Sequence, residues 1–334
     1  MDIDRSRAEA VAADAFRAHG ISDRDAEITA EVLVTANARG KGSHGLIRLP
    51  RYLRGLEHGN VDPEGEIEII RDSGAAATLN GGSRLGPPVA LEATAEASAR
   101  AEEYGVGAIG VQNGNHLGML GYYTDHARRE GHVAIAMTNT EPAMPPYGGA
   151  NPVLGTNPIA IGLPTEPPFN LDMSTSSIAR GTLNRAAEHG ESIPEGVALD
   201  ASGAPTTDPS EALAGTIRPF GGPKGSGLAI AVEVLAGGLV GAAMGTNVTG
   251  TYNTEMPCTK GDIFIVFDPQ ALGGDGFTER ANAFLESLTA IETDGTHDEI
   301  RIPGEQAIRE ERTDRISVDE DVWHDVCALA DVDS

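Results

Sequence analysis

The sequence predicts an α/β protein of the α+β type, in which a lobe of helices built from both chain ends packs on a lobe with a mixed β-sheet. Its 334 residues are enough for two lobes. Helical patterns occupy both termini, and short apolar strand patterns alternate with helices between them. We assign residues 1–72 and 300–334 to the helical lobe and residues 73–299 to the α/β lobe.

The helices are predicted from amphipathic or alanine-rich segments, several of which stop at a glycine. Ser22 is a plausible N-cap of the second helix, and Asp319 lies near the start of the last one. The segment 225–243 is predicted to be a buried core helix because it is the longest apolar stretch. The predicted helices span residues 2–20, 22–40, about 46–58, 88–104, 225–243, 276–292 and 316–330.

The strands are predicted from short runs of apolar or alternating residues bounded by turn signals. The segment 185–223 is rich in Gly, Pro, Thr and Asp, which predicts a long irregular connection. The strand candidates lie within residues 64–82, 107–113, 132–140, 157–165, 169–176 and 262–268.

A formal match to the G-x-G-x-x-G fingerprint occurs at Gly105, Gly107 and Gly110. The fingerprint has a mechanism only where a strand precedes the glycines and a helix follows, because the pyrophosphate lies at the N-terminus of that helix. Here a helix precedes and a strand follows. We therefore interpret Gly105 as a left-handed helix C-cap and Gly107 as part of the next turn, rather than a Rossmann phosphate loop.

Composition narrows the class of partner. The formal net charge is −26, with only three lysines among 24 basic residues. An acidic surface argues against nucleic acid and anionic membranes, and no apolar run is long enough to span a bilayer. A folded, acid-rich, lysine-poor chain resembles halophilic proteins, in which salt screens the self-repulsion. Thermal melts in molar KCl and in low salt test that hypothesis.

The cysteines and histidines indicate neither a disulfide framework nor a metal site. Cys258 and Cys327 lie far apart in the sequence, and no histidine pair has metal-ligand spacing. The first ten residues have no basic, apolar signal-peptide pattern. We therefore expect a reducing, cytoplasmic location and no metal.

The third predicted helix carries the first candidate site. On a helical wheel His44, Arg48 and Tyr52 share one face, which would present an imidazole, a guanidinium and a phenol together. A solvated face with scattered polar residues is the alternative. Pro50 either kinks this helix or begins it, and Ser43 could be only an N-cap.

A second candidate is His116, which follows a buried strand in a glycine-rich loop. Loops at strand ends often hold catalytic groups on a rigid scaffold, and the imidazole pKa suits acid–base chemistry. A turn histidine that bonds only to the backbone is the alternative.

Three further segments could contact an anion or a ribose. The loop 138–164 turns repeatedly and presents many backbone N–H groups. The segment 171–176 combines Asp172 with three hydroxyls, which could equally cap a helix. In 220–228, Lys224 lies among glycines at a helix start, which favours phosphate contact although the spacing is not that of a Walker A loop.

The ordered set of these motifs resembles one known family. The set comprises SHG-x-x-R-x-x-x-Y at 43–52, N-x-NH-x-G-x-x-GYY at 113–123, GTNP at 155–158, LDMSTS at 171–176, IPEGVALDASGAPTTDP at 193–209 and GGPKGSGL at 221–228. Together they resemble the malate/L-lactate dehydrogenase family of the non-Rossmann type. The resemblance implies a non-Rossmann NAD(P)-binding fold, a homodimer, and hydride transfer between NAD or NADP and a small 2-hydroxy or 2-oxo acid.

The resemblance also implies roles for individual residues. His44 with Ser43 matches a proton-relay pair, and His116 matches an acid/base histidine; the choice between them stays open. Arg48 and Tyr52 match substrate-contacting positions, and Arg48 suits a carboxylate clamp. The residues implied to line the cofactor site or the active cleft are Asn139, Thr140, Thr156, Asp172, Ser174, Ser176, Lys224, Gly225, Gly304 and Glu305.

The resemblance favours malate or L-lactate as substrate. Sulfolactate or ureidoglycolate dehydrogenase and cyclic imino acid reductase are alternatives on the same fold. A catalytically inactive binding protein is the alternative outside enzymes.

Overall fold

The computed structural model describes residues 1–311 and 313–332. In chain order its strands are β1 (Asp2–Asp4), β2 (Glu68–Asp72), β3 (Ala76–Asn80), β4 (Val106–Gln112), β5 (Val133–Thr138), β6 (Ile159–Leu163), β7 (Phe169–Met173), β8 (Ala198–Leu199), β9 (Pro205–Thr206), β10 (Thr216–Ile217), β11 (Asp262–Phe267) and β12 (Arg315–Ser317).

The α-helices alternate with these strands. They are α1 (Arg5–Ala18), α2 (Asp23–Ala38), α3 (Leu49–Glu57), α4 (Gly86–Tyr104), α5 (Gly121–Arg129), α6 (Arg180–His189), α7 (Pro209–Ala214), α8 (Pro223–Val232), α9 (Pro269–Gly273), α10 (Phe277–Thr289), α11 (Glu305–Glu310) and α12 (Glu320–Leu329). Single 3-10 turns cover Gly42–His44, Leu46–Arg48 and Gly245–Asn247, and a π-helical turn covers Glu233–Gly238.

A seven-stranded mixed sheet forms the centre, with the strand order β2-β3-β4-β11-β5-β6-β7. Within it β3 and β4 run parallel, whereas every other neighbouring pair is antiparallel. A Rossmann sheet is mostly parallel, so this sheet is of a different type. Helices α4 and α5 cover one face around Ile109 and Tyr123, and α8 covers the other around Val232.

The two chain ends meet in a second, helical core. Helices α1, α2, α3 and α12 bury an apolar cluster that includes Phe16, Leu33, Leu53 and Trp323. Strands β1 and β12 pair antiparallel beside it. Both ends therefore contribute to one helical layer, while the lobe bounds at residues 72 and 300 stay a prediction.

Local signals placed several elements well. Ser22 caps α2, since its hydroxyl accepts a hydrogen bond from the Asp25 N–H at 3.3 Å. Gly105 ends α4 with a φ of +83°, which confirms the left-handed cap. The turn assignment of Gly107 is wrong: it lies within β4, where a Cβ would fall 2.0 Å from the Ala97 carbonyl oxygen.

Other predictions failed where tertiary pairing decides the structure. Residues 2–4 are strand β1 rather than helix because they pair with β12. The segment 185–223 is not irregular: α7 and the small sheet β10-β8-β9 pack there with α6. The segment 225–243 is not fully buried, because Val234 and Leu239 are 52% and 64% exposed.

Candidate active site

A cleft of about 370 Å³ lies where the loops after β4, β5 and β7 meet the segment between α2 and α3. Helix α6 and the segment that contains Tyr252 complete its wall. A cavity of this size suits a small ligand together with part of a cofactor. It gathers residues from parts of the chain that are far apart in sequence.

The segment that carries His44 is not one continuous helix. Two 3-10 turns precede α3, which begins at Leu49 with Pro50 as its second residue. Proline is well tolerated there because the first helical N–H groups lack helical partners. The predicted helix from about residue 46 is therefore wrong at its start, and His44 does not share a helix with Arg48.

A close contact between Asn37 and Gly45 shapes this segment. The Leu46 N–H donates to Oδ1 of Asn37 at 2.8 Å. A Cβ on residue 45 would lie only 2.0 Å from that same oxygen. A side chain at residue 45 would have to displace Asn37 and break this hydrogen bond, so the pair stabilises the turn that precedes α3.

The structure brings the two candidate histidines together. The rings of His44 and His116 lie 5.9 Å apart between centroids, with an angle of 17° between their planes. Both side chains line the cleft. Residues 72 positions apart in sequence thus present two imidazoles side by side.

The hydrogen bonds of His116 fix its tautomer. Its Nδ1 accepts from the Gly118 N–H at 3.2 Å and lies 2.7 Å from the Tyr52 hydroxyl. Because a backbone N–H can only donate, Nδ1 is an acceptor and Tyr52 donates to it. The neutral ring therefore carries its proton on Nε2.

The hydrogen-bond partner of His44 does not fix the tautomer of its ring. Its Nδ1 lies 3.1 Å from the hydroxyl of Ser43. A hydroxyl can donate or accept, so this contact allows either tautomer of the ring. His44 can therefore hold a proton on Nδ1 and leave Nε2 free to accept another.

Both imidazoles are neutral near pH 7. Burial, and to a smaller extent the charge of Arg48, lowers the pKa of His44 from 6.5 to about 4. The same two causes bring the pKa of His116 well below 6.5. Removing a charged imidazolium from water is unfavourable, and a nearby guanidinium adds repulsion.

Arg48 lines the cleft beside these rings. Its Nε donates to the Ser43 carbonyl oxygen at 2.7 Å. Among the described residues, no carboxylate lies within salt-bridge distance of it. Lys41, by contrast, is paired with Asp172 at 2.6 Å.

Tyr52 is not part of the cleft wall. Its side chain is 5% exposed, and its hydroxyl is directed to His116 instead. Burial raises the pKa of this phenol, which keeps it protonated as a donor. A direct substrate contact, as the resemblance implied, does not fit this placement.

Five of the residues assigned to the cofactor or cleft do line the cavity: Thr140, Thr156, Asp172, Ser174 and Ser176. The Thr156 N–H donates to the Thr140 hydroxyl at 3.0 Å, and the Ser174 and Ser176 hydroxyls lie 2.8 Å apart. Hydroxyls from two loops, the β5–β6 connection and the segment after β7, therefore face one space.

The other assigned residues lie outside this wall. Asn139 is fully buried, and its amide nitrogen donates to Glu233 and to the Ala243 carbonyl oxygen. It therefore stabilises the loop after β5 from the protein interior. Lys224 is exposed in the first turn of α8. The remaining three are Gly225, packed on Phe220, Gly304, in an adjoining pocket beside Asp172, and Glu305, paired with Arg309 within α11.

Several charged or aromatic residues of the cleft were missed by sequence reasoning. Arg51 follows Arg48 by three positions, so helical spacing could have placed it on the same face. The others carry no local signal, because distant segments bring them here. The missed residues are Arg51, Glu141, Arg180, Tyr252 and Lys260.

The described residues hold no group of three or more metal-ligating side chains. Within the same residues, none of the helices combines the length and apolarity that a membrane span needs.

Comparison with known proteins gives a consistent result. Residues 3–327 match the family model described as malate/L-lactate dehydrogenase. The chain is 43% identical over 318 residues to the L-sulfolactate dehydrogenase of Methanothermobacter thermautotrophicus, covering 94% of this chain and 92% of that protein. It is 41% identical over 321 residues to the malate/(S)-sulfolactate dehydrogenase of Methanothermus fervidus, covering 95% and 93%.

A solved structure extends this similarity to the fold. The sulfolactate dehydrogenase from Methanocaldococcus jannaschii superposes with a TM-score of 0.93 at 40% sequence identity. The superposition covers 100% of this chain and 98% of that one. The mixed sheet and its surrounding helices are thus shared over the whole chain.

Proposed function

The chain belongs to the malate/L-lactate dehydrogenase family and is an NAD(P)-dependent dehydrogenase of 2-hydroxy acids, and from this premise we propose that its substrate is sulfolactate. This choice replaces malate or L-lactate, which the sequence motifs favoured. It is supported by relatives above 40% identity whose names specify sulfolactate. Malate is the second candidate because one of those names includes it.

The cleft fits a nicotinamide cofactor in its donors and acceptors. Thr140, Thr156, Ser174 and Ser176 offer hydroxyls to ribose or amide groups. Gly155 lets the two arms of the β5–β6 connection approach closely, since a Cβ there would fall 2.3 Å from the Thr140 carbonyl oxygen, and this holds the Thr140 and Thr156 residues together. When bound, NAD(P) supplies or accepts the hydride.

Lys224 is a candidate for the cofactor phosphates. It lies in the first turn of α8, a helix that begins directly after Gly221 and Gly222. Both of these glycines have positive φ. A helix N-terminus preceded by such glycines presents N–H groups that favour an anion. We assign Lys224 to this role, outside the part of the cleft that holds the histidines.

The observation that carries the mechanism is the convergence of two neutral imidazoles beside a guanidinium without an ion pair. Arg48 binds the C1 carboxylate of the substrate and orients C2. In oxidation, Nε2 of His44 accepts the hydroxyl proton while Nδ1 donates to Ser43. In reduction, the protonated His44 returns this proton to the carbonyl oxygen.

His116 has a different part because its tautomer is fixed. Its Nε2 carries a proton and faces the reaction as a donor, so it polarises the C2 oxygen by a hydrogen bond. It does not accept the substrate proton, since Nδ1 is occupied by two donors and Nε2 is already protonated. In this mechanism His44 transfers the proton, and His116 stabilises the C2 oxygen.

We also assign the second subunit of a homodimer to the exposed face of α8 and the following π turn. Ile230, Val234 and Leu239 are 46%, 52% and 64% exposed there. A chain of net charge −26 repels its copies over most of its surface. An apolar strip without charges is where such copies can approach, and apolar burial then drives association.

A spectrophotometric assay tests the proposed function. Purified protein is mixed with NADH or NADPH and each of sulfopyruvate, oxaloacetate and pyruvate, in low salt and in molar KCl. We expect reduction of sulfopyruvate with the highest kcat/KM. Oxidation of neither cofactor with any of the three acids would contradict the proposal.

A further inference from the structure

Arg51 is a buried cation with unused hydrogen-bonding capacity. Its side chain lines the cleft, yet the residue is only 8% exposed. One nitrogen, Nη2, donates to the Gly250 carbonyl at 3.3 Å, while Nε and Nη1 have no partner. Burying a charged group whose donors are unpaired is costly, so this arrangement points to an anionic ligand.

A second guanidinium faces the same space. Arg180, in the first turn of α6, lies 4.4 Å from the centre of the Tyr252 ring, and Arg51 lies 5.8 Å from it. The Nε of Arg180 is also buried without a partner. Tyr252 therefore holds two cations in place through its ring while leaving their N–H groups available.

The charges of the cleft do not cancel. Lys41 and Lys260 are each paired with an aspartate. Within the described residues, no carboxylate lies within 4 Å of Arg48, Arg51 or Arg180. Of the carboxylates that line the cleft, Glu141 has the largest electrostatic effect on Arg51. In a chain of net charge −26, an excess of cations confined to one cleft indicates a ligand with more than one negative charge.

We infer that Arg51 and Arg180 form a second anion subsite, which binds the distal acidic group of a dianionic 2-hydroxy acid while Arg48 binds its C1 carboxylate. This inference rests on the proposed function and names the residues that select its substrate class. A monoanionic acid such as lactate would leave the second subsite unpaired. Discrimination against monoanions follows from that unpaired, buried charge.

Position favours the substrate over a cofactor phosphate as the ligand of this subsite. Arg48 directly precedes α3 and Arg51 lies in its first turn, and both side chains line the cleft beside the histidines. The charge of Arg51 also acts on both imidazoles, lowering the pKa of each. The subsite therefore adjoins the proton-transfer groups, where a small substrate is held.

The test compares dianionic and monoanionic substrates in Arg51→Met. We expect the ratio of kcat/KM for sulfopyruvate over pyruvate to fall by at least about 30-fold, the scale of a lost charge-assisted hydrogen bond. Arg54→Met is the matched control, since it removes the same charge from an exposed position of α3. Its ratio should stay within about twofold of wild type.

Two results would overturn the inference. One is an equal loss for both acids, which would mean that Arg51 only supports the fold. The other is a rise in KM for NADH or NADPH with an unchanged ratio, which would place a cofactor phosphate at Arg51. If Arg51→Met does not fold, Arg180→Met is measured instead, with an expected fall in the ratio of about tenfold.

A binding measurement separates this inference from the proposed function. Calorimetry of malate and lactate with the enzyme–NADH complex involves no reaction, because both partners are already reduced. Malate should bind more tightly than lactate to wild type, and Arg51→Met should remove most of that difference. If the enzyme reduces 2-oxo acids but Arg51→Met keeps the difference in affinity, the proposed function holds and the subsite is absent. If the protein reduces none of these acids but Arg51→Met removes the difference, the subsite is present and the proposed function is wrong.

Discussion

The hydroxyl of Tyr52 lies 2.7 Å from Nδ1 of His116 and is buried behind it. Together with the Gly118 N–H, it leaves Nδ1 as an acceptor and the proton on Nε2. We therefore propose that Tyr52 is a positioning residue. In the proposed mechanism it determines which nitrogen of His116 meets the substrate oxygen, a role similar to that of the groups that orient histidines in other active sites.

Tyr52→Phe tests this relationship. Removing one of two donors to Nδ1 should weaken the preference for the Nε2–H tautomer and lower kcat by about tenfold, the effect of a single hydrogen bond. Nitrogen-15 NMR of the histidines reports the tautomer directly. If the His116 signals and kcat both match wild type, Tyr52 has no positioning role.

The low pKa of His44 predicts an extended acid range for hydroxy-acid oxidation. Its folded pKa of about 4 lies below the ordinary 6.5, so the ring remains a neutral base as the pH falls between these values. We expect the acid limb of kcat/KM, measured at saturating oxidised cofactor, to lie below pH 6. A limb at pH 6.5 or above would contradict this.

The same shift links His44 to stability. In the unfolded chain the ring takes up a proton near pH 6.5, whereas the folded protein resists protonation until about pH 4. The contribution of the neutral ring to the free energy of unfolding is therefore fully present above pH 6.5, and it is lost as the pH falls from 6.5 towards 4. Urea unfolding of wild type and His44→Gln at pH 7.5 and 5.5 should show a smaller pH dependence in the variant.

Arg48→Lys tests the carboxylate clamp. A lysine keeps the charge but cannot make the paired, parallel hydrogen bonds of a guanidinium. We expect KM for the 2-oxo acid to rise at least about tenfold, with a smaller change in kcat. An unchanged KM would mean that another group holds the C1 carboxylate.

The exposed apolar strip is tested by a charge at its most exposed position. Leu239→Glu should convert the proposed dimer to a monomer, because a carboxylate buried at the proposed interface would be desolvated without a partner. Leu272→Glu is the control, since Leu272 is 76% exposed on α9. Sedimentation analysis in molar KCl, where charge repulsion is screened, distinguishes the two; a monomeric wild type would contradict the assignment.

Local sequence signals predicted the parts of the fold that local chemistry determines. The cap at Ser22, the left-handed Gly105 and the apolar strand β11 all carry their reason within a few residues. Strands β1 and β12 do not, because each has three residues and its partner lies over 300 positions away. Pairing between strands so far apart in sequence leaves no local pattern from which it could be predicted.

The candidate site shows the same division. His44, Arg48 and His116 were selected through motifs, and the structure brings them together although the helical wheel that first grouped His44 with Arg48 does not hold. Arg51 was missed because an arginine on a short helix normally indicates a solvated face. Its burial depends on Gly250 and Tyr252, which come from a distant segment.

The most direct test of the central claim compares His44→Gln with His116→Gln. Glutamine cannot titrate, but its amide can still donate a hydrogen bond. The account predicts that His44→Gln lowers kcat by about 100-fold or more and that His116→Gln loses clearly less. Near-wild-type turnover of His44→Gln, or a greater loss in His116→Gln, would contradict the division of roles between the two imidazoles.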